Sequence, residues 1–288
     1  MRGVLSAGSL LALDLLGFRC CFDEIYATSA GAVNAAYFVA EQGIMGMTVY
    51  FDCINNRRFY NPFRLTKIVD VGFVYDHVVP HVKTLDEKAI RRSPTDLFFS
   101  LTDVSTGDNV LLNVKECGET VAKMLKASSA LPILNNRTVL LQGREFVDGG
   151  VTCTLPIQQA VARGCTDGLI LLTKTCGYEL PPPNFFDRAL LYAMMGHRFP
   201  RLMDAYEKMA ATTNQARRIA VGGLSLDGVN VATICPNEAE LIVGRTTIER
   251  SRLIEGARLL ASKTFRLFGE DAAAAEEIFE EYRRSGSC

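Results

Sequence analysis

Ser29 lies in Ala27-Thr28-Ser29-Ala30-Gly31, between a strand-forming run, Phe22 to Tyr26, and a run of helix formers, Ala32 to Gln42. A serine on a sharp strand-to-helix turn is the setting of a nucleophile elbow. The turn lifts the hydroxyl clear of the sheet. It also aims the hydroxyl at free backbone N–H groups that can steady a developing anion. Small neighbours are needed because strand and helix pass close together, and Thr28 is the only larger one. A second signal is Phe146-Val147-Asp148-Gly149-Gly150-Val151, a carboxylate on a tight turn at the end of an apolar strand. Together Ser29 and Asp148 suggest acyl-transfer chemistry by a Ser–Asp pair. The plainer alternatives are a serine that merely caps a helix and an ordinary Asp-Gly turn.

The elements that must position these residues can be read from pattern. Ser9 to Leu16 has helical periodicity, with Ser9 as its cap and Gly17 as its stop. Phe22–Thr28 reads as a strand and Ala32–Glu41 as the helix after the turn. Short helices covering the site are expected between Thr48 and Pro94. Asp96–Thr102 and Asn109–Asn113 read as a hairpin, as do Val139–Gln142 and Glu145–Val147 about Gly143. Glu119–Ser128 and Ile157–Arg163 read as helices. Gly168–Thr173 is a continuous apolar strand, of the kind found at the centre of a covered sheet. Beyond Pro181-Pro182-Pro183 the pattern is helical from Phe185 to Ile219, broken near Pro200. Then come a strand at Val229–Cys235 and helices at Thr246–Phe268 and Asp271–Arg284. Strands alternating with helices predict an α/β fold, a sandwich around a mostly parallel central sheet. One domain, 1–288, is expected, with a mainly helical portion over about 180–288.

Composition narrows the function. Of 288 residues, 48% are hydrophobic, enough for a sizeable core. The net charge of −1, from 31 basic and 32 acidic residues, gives no electrostatic case for a nucleic acid partner. The nine cysteines are scattered without a C-x-x-C pair. They read as reduced thiols, mostly buried, in a cytoplasmic protein, with Cys153 buried and inert. His77 and His81 are four apart, but Pro80 lies between them, and no metal is expected. No stretch reaches the roughly 20 apolar residues of a membrane span, so any membrane contact is expected to be peripheral. Arg57-Arg58 and Arg91-Arg92 read as solvated surface rather than headgroup contacts. The aromatic stretch from Asn184 through Met195 fits either a lipid-facing lip or core packing.

Four blocks, in order, give the chain a resemblance to the patatin-like phospholipase family in its bacterial form. They are Met1-Arg2-Gly3 with Ala7-Gly8 and Leu10 to Leu13; Ala27 through Ala36; Ala127-Ser128-Ser129-Ala130-Leu131-Pro132; and Asp148-Gly149-Gly150 with Leu155-Pro156. Leu101-Thr102-Asp103-Val104 with Thr106-Gly107 also looks like a family strand and turn. The resemblance implies a three-layer α/β/α sandwich. It implies a cofactor-free lipid acyl hydrolase with Ser29 as nucleophile, Asp148 as general base and an acyl lipid as substrate. Arg2, Gly3, Ala30 and Gly31 would belong to the oxyanion loop and elbow, and Gly149 and Gly150 would shape the turn that presents the base. A histidine-free dyad is coherent, since a desolvated carboxylate can accept a hydroxyl proton. In the family a strand and a run of glycines precede the stretch matching Met1-Arg2-Gly3, and the sequence here opens at Met1. The expectation is a start assigned at an internal methionine. The alternative is a catalytically impaired relic that binds lipid or regulates. Ala27, where the family has glycine, is a tolerable change.

Overall fold

The computed structural model describes residues 1–64, 67–135, 137–224, 226 and 228–284. Among the described residues seven strands form two sheets: β1 (Glu24–Thr28), β2 (Asp96–Asp103), β3 (Asn109–Asn113), β4 (Val139–Leu141) and β5 (Arg144–Asp148) in one, β6 (Asp167–Leu171) and β7 (Asn230–Ile234) in the other. β1 runs parallel to β2 and β6 parallel to β7, while β3, β4 and β5 pair antiparallel. The chain is therefore a mixed α/β protein with a largely helical C-terminal part, as its alternating pattern predicts.

β2 is the axis of the larger sheet. Seven of its eight residues are buried, so Asp-Leu-Phe-Phe-Ser-Leu-Thr-Asp reads as a strand covered on both faces. Leu101 and Thr102 pair with β3 and with β5 at once, so those two strands must lie on opposite edges. Phe98 to Ser100 likewise pair with both β3 and β1. β1 and β5 thus share one edge of β2 and run towards each other along it. Thr28 faces Ser100 and Asp148 faces Leu101, the very next residue.

The N-terminal helix, Gly3–Leu15, and the helix after β1, Ala30–Val39, bring Leu5, Leu11, Phe38 and Val39 to the main core. The helix Arg250–Leu267 crosses the N-terminal helix so closely that a Cβ on Gly8 would lie 2.1 Å from the carbonyl oxygen of Ala257. That contact explains why glycine follows Ala7. A second, smaller core of Val104, Val147, Leu191 and Leu202 sits beneath the helices Phe185–Leu191 and Pro200–Ala220.

Several elements differ from expectation. The first helix starts at Gly3, so Ser9 is buried in mid-helix and caps nothing. Packing against Arg250–Leu267 extends the helix past the point where local signals would begin it. The segment around Pro80 is helical after all, a wide-turned π-helical run, Val74–Val82, that tolerates the missing N–H. His77 and His81 lie on it with ring centres 6.1 Å apart. β6 does not sit at the centre of the larger sheet. It pairs with β7 alone among the described strands, and its residues are half-buried or exposed. The cysteines are not all thiols either, because Cys176 and Cys235 form a disulfide with Cα atoms 6.0 Å apart. Leu171 pairs with Ile234, so residues just past the ends of β6 and β7 are neighbours although 59 positions separate the two cysteines. Cys20 and Cys21 are exposed, Cys117 is buried and Cys153 is half-buried. No helix among the described residues is long and apolar enough to cross a membrane.

Candidate active site

β1 ends at Thr28 and the helix begins at Ala30, leaving Ser29 alone to reverse the chain. It does so at φ 55°, ψ −125°, a region L-residues rarely occupy and one that stores strain. Its hydroxyl does not cap the helix. Ser29 Oγ donates to Asp148 Oδ2 at 2.6 Å. The Ser29 N–H donates to Ser128 Oγ at 3.0 Å, and Ser128 Oγ donates in turn to the Ser100 carbonyl at 2.9 Å. Ser128 therefore ties the strained turn to β2, a positioning task that its place at a helix end did not disclose.

Asp148 closes β5. Its N–H donates to the Ala130 carbonyl at 3.0 Å, and its carbonyl accepts from Thr102 Oγ1 at 2.9 Å. Its second carboxylate oxygen, Oδ1, accepts from the Gly150 N–H at 2.7 Å. The side chain is 1% exposed. Burial pushes the carboxyl up to about 6, against the opposing effects of the Ser29 and Gly150 hydrogen bonds and the charge of Arg245. A Cβ on Gly149 would lie 2.2 Å from the Ser100 carbonyl oxygen, and one on Gly150 would lie 2.9 Å from Asp148 Oδ1. Both glycines are thus required by close approach, the first to β2 and the second to the carboxylate.

Arg2 precedes the first helix and Gly3 opens it. A Cβ on Gly3 would lie 2.8 Å from Ala30 Cβ and 2.3 Å from the Tyr50 hydroxyl. The tight approach is therefore between Gly3 and Ala30. A Cβ on Gly31 would meet nothing within 4 Å, so steric need for small residues around Ser29 does not extend to that position. Asn34 fixes the approach: its Nδ2 donates to the Gly3 carbonyl at 2.7 Å and to Ser6 Oγ at 3.0 Å, while the Tyr50 hydroxyl donates to its Oδ1 at 3.0 Å. The sequence signal for this role was a lone amide within the apolar run Ala32–Val39. The backbone N–H groups of Gly3, Ala30 and Gly31 donate to no other described residue.

The pair opens onto a cavity of about 1190 Å³, walled in part by β1 and β6. Arg2, Tyr178, Arg217 and Arg245 line it as well. Burial, with the charges of Arg245 and Arg217 close by, pushes the Arg2 guanidinium down to about 10, though Tyr178 opposes this. Phe185 and Phe186 are 76% and 81% exposed, whereas Leu191 and Met195 are buried, so the aromatic stretch is divided between surface and core. Arg91 is structural, donating to the carbonyls of Val114, Cys117 and Glu119.

The model of the patatin-like phospholipase family matches residues 1–161, more than half of the chain, and the chain belongs to that family. The matched region holds both Ser29 and Asp148, and it ends before Arg217 and Arg245. An uncharacterized Escherichia coli (strain K12) protein, YjjU, is 25% identical over 178 residues, covering 60% of this chain and 49% of that protein. The chain spans about half the length of that relative. At the family level the match points to lipid hydrolysis.

Proposed function

We propose that the protein is a lipid acyl hydrolase in which Ser29 is the nucleophile and Asp148 the general base. The observation that carries this reading is the 2.6 Å hydrogen bond between a serine held at positive φ and a buried carboxylate. Strain at a functional turn and a carboxyl raised towards neutrality are what such chemistry needs.

In this reading Ser29 Oγ attacks the ester carbonyl carbon and its proton passes to Asp148 Oδ2. The carbonyl electron pair moves onto oxygen, which would be received by the N–H groups of Gly3, Ala30 and Gly31 at two helix starts. Collapse of the adduct breaks the bond to the alcohol, which leaves with the proton from Asp148. A water then gives its proton to Asp148 and attacks the acyl-Ser29 ester. The proton returns to Ser29 Oγ as the carboxylic acid departs. With a carboxyl near 6, Asp148 is ionised at neutral pH, yet basic enough to share the hydroxyl proton.

Intact-mass labelling with a fluorophosphonate tests this directly. One adduct on the wild-type chain, absent from Ser29→Ala, is expected. A folded wild-type chain that takes no adduct, or a Ser29→Ala chain that still takes one, would overturn the assignment.

A further inference from the structure

Three guanidinium side chains, from Arg2, Arg217 and Arg245, line the cavity that holds Ser29 and Asp148. None is within ion-pair distance of a carboxylate among the described residues. Of the cavity's other acids, Glu24 pairs with Arg163 at 2.7 Å, Asp167 and Asp187 accept from the amides of Asn230 and Asn184 at 2.8 Å and 2.9 Å, and Asp23 lines the wall as well; none of the four forms an ion pair with Arg2, Arg217 or Arg245. Gathering unpaired cations in a partly desolvated cavity is unfavourable unless an anion joins them.

Arg217 is built in rather than incidental. It is 8% exposed. Its Nε donates to the Tyr178 carbonyl at 2.8 Å and one Nη donates to the Thr175 carbonyl at 2.6 Å. The Cys176–Cys235 disulfide pins the loop that supplies both carbonyls, and the guanidinium lies 5.3 Å from the centre of the Tyr178 ring. Its other Nη has no partner among the described residues. Arg245 stands exposed at the cavity, near enough for its charge to act on both Asp148 and Arg2.

We infer that Arg217 and Arg245, with Arg2, bind the phosphate of an anionic lipid headgroup while its ester is presented to Ser29. This rests on the reading of Ser29 as nucleophile. A planar guanidinium fork suits phosphate oxygens, and a phosphate monoester carrying about −1.5 to −2 charges answers several cations where a carboxylate answers one. Neither Arg217 nor Arg245 falls within the family match.

The experiment compares kcat/KM for a lysophosphatidic acid and the uncharged monoacylglycerol with the same acyl chain, both below their micellar concentrations. The wild type is expected to favour the phosphate ester, and Arg245→Ala to lower that ratio about tenfold, the effect of one charge-assisted contact. An unchanged ratio overturns the inference. Arg245 is exposed, so its removal leaves the core alone; Arg217→Gln, which risks the loop, is the second variant.

Binding of glycerol 3-phosphate to Ser29→Ala, followed by titration calorimetry, gives a readout free of turnover. Measurable affinity that weakens about tenfold in Ser29→Ala/Arg245→Ala supports the site. No binding overturns it, as does inorganic phosphate binding as tightly as glycerol 3-phosphate, which would mark a free-phosphate site. If the wild type hydrolyses neither ester, the proposed function fails and the calorimetry alone decides the anion site.

Discussion

Asp103 and Asp148 lie on adjacent strands of one sheet, with Asp103 opposite Phe146 and Asp148 opposite Leu101. Both are buried. Burial raises each carboxyl, yet the outcomes are opposite. At Asp103 burial is outweighed by hydrogen bonds from the Ser105 hydroxyl at 2.5 Å, the Ser105 N–H at 2.8 Å and the Thr106 N–H at 3.2 Å, and by Arg144 at 2.6 Å. Its carboxyl is held below the ordinary 3.8. Asp148 has one hydroxyl and one N–H, and burial wins, leaving it near 6. One residue type thus serves as a stabilising anchor at one position and, in the proposed reading, as a poised base at the other. The difference lies in the donors and the guanidinium around Asp103 and in the deeper desolvation of Asp148.

The largest expected effect is on turnover. Ser29→Ala and Asp148→Asn should each reduce hydrolysis of p-nitrophenyl butyrate by about 10⁴-fold or more with the fold intact, as far-ultraviolet circular dichroism would check. Asp148→Asn retaining most activity would make the two carboxylates alike in being structural. In the wild type, kcat/KM should climb with pH to about 6 and level above it, because the base must be ionised. A flat profile down to pH 4 would break the contrast.

Next comes Asp103→Ala, which strands its donors and should lower unfolding stability by about 2–4 kcal/mol in urea titrations, with far less effect on turnover per folded molecule. The signs with pH are opposite as well. Asp103, held below 3.8, contributes stability above that value, and the contribution is lost as pH falls through its folded pKa. Asp148, raised, contributes below about 4, and its contribution is lost as pH rises through about 6. Asp148→Asn should therefore stabilise the protein at pH 8, by about 1–3 kcal/mol. Lower stability at that pH would mean the buried charge is better compensated than its two donors suggest.

The smallest effect belongs to the strained turn. Ser29→Gly should raise stability by about 1 kcal/mol by removing the penalty of positive φ, measured by thermal unfolding. No gain would mean that Ser128 and the neighbouring helix offset the strain.

Some of this was fixed locally. Small residues around a serine between a strand and a helix specify a sharp turn whatever surrounds it, and Asp-Gly-Gly specifies a turn that presents a carboxylate. The apolar run Leu97-Phe98-Phe99 marks a strand, but period alone did not say which strand is covered: Gly168–Thr173, the expected central strand, is the half-exposed β6, and β2 is the one buried along nearly its whole length. Such features depend on Cβ clashes, backbone freedom and hydrophobic period, which act over a few residues. Tertiary structure alone decided the rest. Ser29 and Asp148, 119 positions apart, meet because β1 and β5 abut on one edge of β2, a register set by pairing across the sheet. The Cys176–Cys235 disulfide needed β6 beside β7. Arg2, Arg217 and Arg245 carry no common motif and converge only once the helices have packed. The opposite titration of Asp103 and Asp148 was invisible in sequence, because a pKa reports the donors and solvent around a folded carboxylate.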